Sequence, residues 1–169
     1  RLNRYIYNQV AGFVAVSTDL TTAIEANTGC PQTRIGVAPV PLTTDPGANG
    51  SETNARDAFE ISETQIVLTV TNLDFRAKRR GVETMVSELV ALLRENEDLA
   101  YVIAGGGAHL DEFRTWLDDR IEDRAVRERI YVLGFVDDVA ALYDLADVFG
   151  YVSSLDGYPN VVLEAQAEG

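Results

Sequence analysis

Asp156 and Glu164 stand eight positions apart and bracket a Gly157-Tyr158-Pro159-Asn160 turn that runs into Val161, Val162 and Leu163. The apolar run Val148–Val152, read as a buried strand, leads into the segment. One acid is therefore expected on a loop and the other inside the helix that the loop opens into. Pro159 and Asn160 suit the start of such a helix, whose first-turn N–H groups lie between the two acids. Carboxylates accept hydrogen bonds from hydroxyls, and a helix N-terminus attracts phosphate, so the segment suits a polyhydroxy ligand carrying phosphate. A glycosidase acid and base would use the same pair of residue types, and two solvated surface acids are a further alternative. Against the last, Glu164 lies among apolar neighbours, where an unpaired carboxylate is costly.

Other candidates lie upstream. Arg76-Ala-Lys78-Arg79-Arg80-Gly81 is the densest positive patch, and Lys78 is the only lysine of the chain. A lysine point charge beside an arginine fork neutralises a diphosphate; a solvated loop entering a helix is the rival reading. Gly105-Gly106-Gly107 lets a backbone approach a ligand closely, or simply makes a tight turn. It does not match G-x-G-x-x-G, because the third required position is Leu110. Phe135 and Val136 after Gly134 read as loop or core packing, although a flat apolar surface beside a backbone N–H and C=O also suits a nucleobase. His109, the only histidine, reads as an exposed first-turn residue, since the sequence places no nucleophile or carboxylate partner against it.

These residues need elements to hold them. Ala11–Val16 reads as a strand and Asp19–Asn27 as a helix capped by Ser17 or Thr18, with a second short run at Ile35–Val40. Thr43–Arg56 is polar and turn-rich, like a linker. Beyond it, apolar strands at Ile66–Val70, Ala100–Ala104, Ile130–Leu133 and Val148–Val152 alternate with helices at Val82–Glu95, His109–Arg124 and Asp138–Leu145. The apolar face of the first of these helices is read as Val82, Met85, Leu89 and Leu92. Strands that are apolar throughout, alternating with amphipathic helices, imply an α/β fold with a doubly wound parallel sheet. Each candidate loop follows a strand, and ligands of such sheets bind at the carboxyl ends of the strands.

Composition bounds the function classes. The 169 residues are 46% apolar, enough for one sizeable core. A net charge of −13 argues against general nucleic-acid binding. Acid excess with thirteen arginines and one lysine resembles proteins of salt-loving archaea. Cys30 is the lone cysteine, which fits a reducing compartment and a small packed filler. No membrane-length apolar run or secretory signal is visible, so a cytoplasmic protein is expected. The chain opens at Arg1 without a methionine and stops just past a helix, which reads as a piece of a larger protein.

The residues Asp156-Gly157-Tyr158-Pro159-Asn160-Val-Val-Leu-Glu164-Ala-Gln-Ala-Glu-Gly169 resemble the E-G-F-G-x-x-x-x-E-A-x-A-x-G signature of the retaining family-4 glycosyltransferases of the GT-B fold. Tyr101–Gly107 is similar to that family's glycine turn, Arg129–Val136 to its strand and G-x-V loop, and Ala141–Val148 to its "ly-x-x-ad-v" segment. Phe13–Ser17 and Ile35–Pro39 resemble the end of the acceptor domain and its crossover. The resemblance implies three parts: residues 1–44 ending an acceptor domain, 45–60 as linker, and 61–169 as the Rossmann-like donor-binding half. It implies transfer of a sugar, of hexosyl type, from a nucleotide-diphosphate sugar with retention, in polysaccharide, glycolipid or glycoprotein synthesis. Glu164 would hold the ribose, Asp156 the transferred sugar, and amides around Gly157, Tyr158, Pro159, Asn160, Val161 and Val162 the sugar and phosphate. Gly105, Gly106, Phe135 and Val136 would line the donor site. Lys78 with Arg76 would balance the charge of the leaving diphosphate, without a cofactor or metal in this family.

Two departures stand out. Asp156 replaces the usual glutamate, which shortens its reach by one methylene. The family's arginine precedes its lysine by five positions, where this chain has Leu73. Arg76 or Arg79 would have to substitute, or Arg80 would take the lysine's place, since the family's lysine normally precedes a glycine. The fragment alone is expected to be inactive without the acceptor domain, and peripheral contact of the whole protein with the inner face of a membrane is left open. A nucleotide-sugar epimerase or a non-catalytic binding module are the rival functions. A dehydrogenase lacks both its glycine pattern and its ribose-binding acid.

Overall fold

The computed structural model describes residues 10–38 and 55–168. The core of the turn-rich linker, the end of the second predicted strand and the closing Gly169 lie outside the described residues. The described residues form two compact units, one of residues 10–38 with 156–160, the other of residues 55–155 with 161–168.

In the smaller unit, β1 (Phe13–Ala15) pairs in parallel with β2 (Ile35–Val37), joined by α1 (Thr18–Thr28) and a 3-10 turn at Gln32–Arg34. Gly29 in the left-handed region ends α1 and donates its N–H to the Glu25 carbonyl. Ser17 occupies the N-cap position but its side chain makes no cap hydrogen bond. Cys30 is buried and free, as a packed filler should be.

The larger unit contains α2 (Ala55–Ala58), β3 (Gln65–Val70), α3 (Arg76–Glu95), β4 (Leu99–Ala104), α4 (Leu110–Arg120), α5 (Arg124–Glu128), β5 (Ile130–Gly134), α6 (Ala140–Leu145), β6 (Val148–Phe149) and α7 (Asn160–Glu168). Its four strands are all parallel in the order β5-β4-β3-β6. After β5 the chain returns past β4 and β3, so the direction of winding reverses between β3 and β6. Successive residues of β3 and β4 feed opposite faces. Val67, Tyr101 and Ile103 pack with α3, α4 and α5, whereas Ile66, Leu68, Ala100, Val102 and Ala104 pack with α2 and α6. Both faces are covered, which is why these strands read as unbroken apolar runs.

Four details differ from the expectation. α3 begins at Arg76 rather than Val82: Arg, Ala and Lys are good helix formers, but Phe75 at the N-cap contributes no side-chain hydrogen bond, so no capping signal marks the start. Its buried stripe is Val82, Val86, Leu89 and Leu93, with Leu92 half exposed. The predicted His109–Arg124 helix ends at Arg120, and Asp123 starts a new one by accepting from the N–H groups of Ala125 and Val126. The Val148–Val152 strand shrinks to two residues, and Val148 and Val152 are exposed rather than buried. Just past β6 the Gly150 N–H still donates to the Leu68 carbonyl at 2.8 Å, and a hydroxyl pair joins that main-chain bond. Thr69 Oγ donates to the Gly150 carbonyl at 2.6 Å, so the buried Tyr101 hydroxyl donates to Thr69 at 2.8 Å. α3 also presses close to this segment, for a Cβ on Gly81 would lie 1.9 Å from the Val152 carbonyl oxygen.

Candidate functional site

The loops that follow β3, β4 and β5 are laced together at the carboxyl edge of the sheet. Thr71 donates its N–H to Ala104, Leu73 to Gly106, His109 to Leu73, and Gly105 to Gly134, all at 2.6–3.0 Å. Asp74 adds a carboxylate that accepts from the Ala108 N–H at 3.1 Å. The result is a fixed platform, and beside it lies a pocket of 480 Å³. Its walls come from Val70, Thr71, Asn72 and Asp74 after β3, Ala104–Gly107 after β4, and Phe135 and Val136 after β5, with Val139 and Val161. That volume falls within the range of small-molecule sites.

The structure sorts the candidates. Gly105 and Gly106 both line the pocket, but the Gly105 N–H is already bonded to the Gly134 carbonyl and is not offered to a ligand. Phe135, read either as packing or as a flat surface for a nucleobase, is 79% exposed on the pocket wall. Val136 packs partly against the second core cluster while it also lines the pocket. Val161 lines it from α7, and Glu164, one turn on, shares that face of the helix. Val162, on the same helix, is half-buried. The loop Asp156–Asn160 belongs to the smaller unit, where a Cβ on Gly157 would meet Leu20 at 2.9 Å. Tyr158 and Pro159 in that loop are half-buried and Asn160 is exposed.

Glu164 has a partner that the sequence did not reveal. The Tyr143 hydroxyl donates to Glu164 Oε2 at 3.1 Å and to the Val161 carbonyl at 3.3 Å. The Tyr143 ring is buried against Phe149, with centroids 5.7 Å apart in an edge arrangement. Burial, then the negative charge of Glu164, pushes the Tyr143 phenol well above its ordinary range, so it stays a donor.

The basic cluster occupies the first turns of α3, not a loop. Arg79 is committed to carboxylates, with Nε 2.6 Å from Glu83 and a terminal nitrogen 2.5 Å from Glu112. Arg76 and Arg80 are exposed and Lys78 is half-buried. His109 does have a carboxylate partner, for its Nδ1 lies 3.0 Å from Glu112 Oε2 at i+3. The helical spacing of His109 and Glu112 was the available signal; the Arg79 contact comes from a different helix and left none. The pocket-lining loop Thr71–Asp74 and the Tyr143 contact also escaped the sequence reading.

The hydrogen bond from Arg79, and then that from His109, lowers the Glu112 carboxyl to about 2. A depressed carboxyl stabilises the fold above its ordinary pKa and loses that contribution as pH falls toward its folded value. Glu112 is exposed, so the effect is small. The thermal midpoints of the native chain and Glu112→Gln should accordingly differ at pH 7 and converge between pH 4.5 and 2. A constant gap across that window would remove the ion pair from the account.

The family model for Glycosyl transferases group 1 matches residues 64–169. A GDP-mannose-dependent alpha-(1-6)-phosphatidylinositol monomannoside mannosyltransferase of Mycobacterium tuberculosis is 30% identical over 134 residues, covering 74% of this chain and 32% of that protein. The chain thus spans about a third of the length of that curated relative. Among solved structures, a glycosyltransferase from Rickettsia africae superposes with a TM-score of 0.81 at 17% identity, covering 99% of this chain and 46% of that one. Alr3699/HepE of Anabaena, solved with UDP and glucose, superposes at 0.77 with 16% identity over 99% of this chain and 45% of its own. At these identities the structural likeness speaks for the fold. No helix among the described residues is long and apolar enough to cross a membrane.

Proposed function

We propose, from the premise that the chain belongs to the group 1 glycosyl transferases, that it is the nucleotide-sugar-binding half of a retaining, family-4 type enzyme. That enzyme would move a hexosyl group from a nucleotide-diphosphate sugar to a glycan or lipid acceptor during cell-surface polysaccharide or glycolipid synthesis. The observation that carries this reading is the apolar pocket at the carboxyl ends of β3, β4 and β5, with the exposed ring of Phe135 on its wall. An aromatic face and a backbone platform suit a nucleobase, and Glu164 on the same side of α7 as Val161 suits the ribose hydroxyls.

In this reading residues 61–169 form the donor domain, 45–60 the linker, and 1–44 the end of an acceptor domain with its crossover. The rest of that domain would come from the longer protein. Asp156 holds the transferred sugar, and amides of the Gly157–Val162 segment meet sugar and phosphate. Lys78, in the first turn of α3, and the exposed Arg76 offset the charge that develops on the leaving diphosphate. The enzyme works in the cytoplasm, against the membrane where its acceptor is a lipid. The acidic surface, at a net charge of −13, suits a salt-rich cell.

Calorimetric titration of the chain with UDP and GDP, each against its uncharged nucleoside, tests the reading. The diphosphates should bind more tightly than the nucleosides, and Lys78→Ala should reduce that preference about tenfold, the scale of one charge-assisted contact. Nucleosides binding as well as their diphosphates would overturn the phosphate assignment, and no binding of either would overturn the whole.

A further inference from the structure

We infer that Tyr143 is a positioning residue for Glu164, holding the carboxylate in the orientation in which it receives the ribose hydroxyls of the donor. The inference rests on the proposed function and adds to it a residue that acts through Glu164 without touching the ligand. A glutamate side chain has three rotatable bonds, and on a helix surface it would spread over several rotamers. Here Oε2 is tied at 3.1 Å to a phenol whose ring is itself fixed, buried beside Leu142 in the second core cluster and set edge-on against Phe149. The same hydroxyl reaches the Val161 carbonyl at 3.3 Å, so the first turn of α7 and Glu164 are registered against α6 by one atom. Val161 lines the pocket, and Glu164 follows it by one turn on the same face. A group locked by packing and a supporting hydrogen bond loses less rotamer freedom when the ligand arrives. The phenol can only act as a donor toward the carboxylate, and it keeps its proton across the working range because burial opposes its ionisation.

The test is a titration of the whole 169-residue chain with UDP and GDP and with their 2′,3′-dideoxy analogues. The proteins compared are the native chain, Tyr143→Phe, Glu164→Ala and the double variant. Tyr143→Phe keeps the ring and its packing, and its melting midpoint is compared with that of the native chain; a variant that did not fold would make the hydroxyl a determinant of the fold and overturn the positioning role. Removing the hydroxyl should weaken binding of the ribonucleotides about tenfold, leave the dideoxy analogues unchanged, and add nothing in the Glu164→Ala background. If Glu164→Ala weakens ribonucleotide binding but Tyr143→Phe stays within about twofold of the native chain, the positioning role is overturned while the site stands. Equal losses for ribo and dideoxy ligands would mean that the tyrosine serves only the fold, which also overturns it. If Glu164→Ala itself has no effect, the ribose assignment and the positioning role fall together.

Discussion

Gly105→Ala is expected to lower the stability of the larger unit by roughly 2–6 kcal/mol, the sum of a strained backbone and an overpacked contact. Gly105 has φ +145, a conformation that L side chains rarely adopt, and an added Cβ would lie 1.6 Å from the Thr71 carbonyl oxygen. The obstacle is main chain, so trimming the Thr71 side chain gives no relief. Escape would require the β3 and β4 loops to part, which breaks the bonds from Thr71 to Ala104 and from Leu73 to Gly106. Against a typical total stability of about 5–15 kcal/mol, the loss is a large share. A thermal melt followed by circular dichroism should show the midpoint falling by at least roughly 10 °C. A midpoint within a degree or two of the native chain would show that the platform yields easily and has no fixed geometry to offer a ligand.

Glu164→Ala is the second large effect, and it should appear in binding with little change in stability. The side chain is half-buried and accepts the hydrogen bond from Tyr143. Removing it costs that bond and leaves the phenol its second acceptor, the Val161 carbonyl, so the unliganded midpoint should move by only a few degrees. Two ribose hydroxyls donating to an ionised carboxylate are each worth about 1.5–3 kcal/mol. Affinity for UDP or GDP should therefore fall on the order of a hundredfold or more. Glu164→Gln, which still accepts from Tyr143 but carries no charge, should fall between the two. Affinity within about twofold of the native chain would remove Glu164 from the ligand site.

Much of this architecture is legible before any coordinates. β3 and β4 read as strands because both of their faces are buried, and the candidate loops read as one edge because each follows a strand. The face of α3 was legible only up to a tie. Val82-Met85-Leu89-Leu92 and Val82-Val86-Leu89-Leu93 fit a 3.6-residue period equally well, and packing on Tyr101 and Phe113 selects the second. The start of the same helix was hidden because Phe75 offers no capping group. β6 was overextended because Gly150-Tyr151-Val152 is as strand-like in composition as Val148-Phe149. The first of those three residues still bonds through its N–H to the Leu68 carbonyl, but its own carbonyl is met by the Thr69 hydroxyl.

The site was legible in its loops and not in its cross-connections. Phe135 and Val136 were singled out for their position after a strand, and both line the pocket. The Tyr143 bond to Glu164 spans 21 positions and the Arg79 contact joins two helices. No local pattern encodes either, since each depends on how separately formed elements dock.

The placement of β6 has a consequence for the order in which the site comes into being. Its neighbour is β3, and the bond from the Ile66 N–H to the Asp147 carboxylate joins residues 81 positions apart. During vectorial synthesis β3, β4 and β5 can pair as each emerges, because each lies beside its predecessor in the sheet. The pocket's walls after those strands thus exist early, while β3 keeps an open edge waiting for a partner with high sequence separation. Glu164 arrives later still. A nascent chain passes through an interval in which it carries the loops after β3, β4 and β5 and an unpaired strand edge but neither Val161 nor Glu164 of α7. The pocket, which Val161 helps to line, is thereby completed only after the sheet has closed.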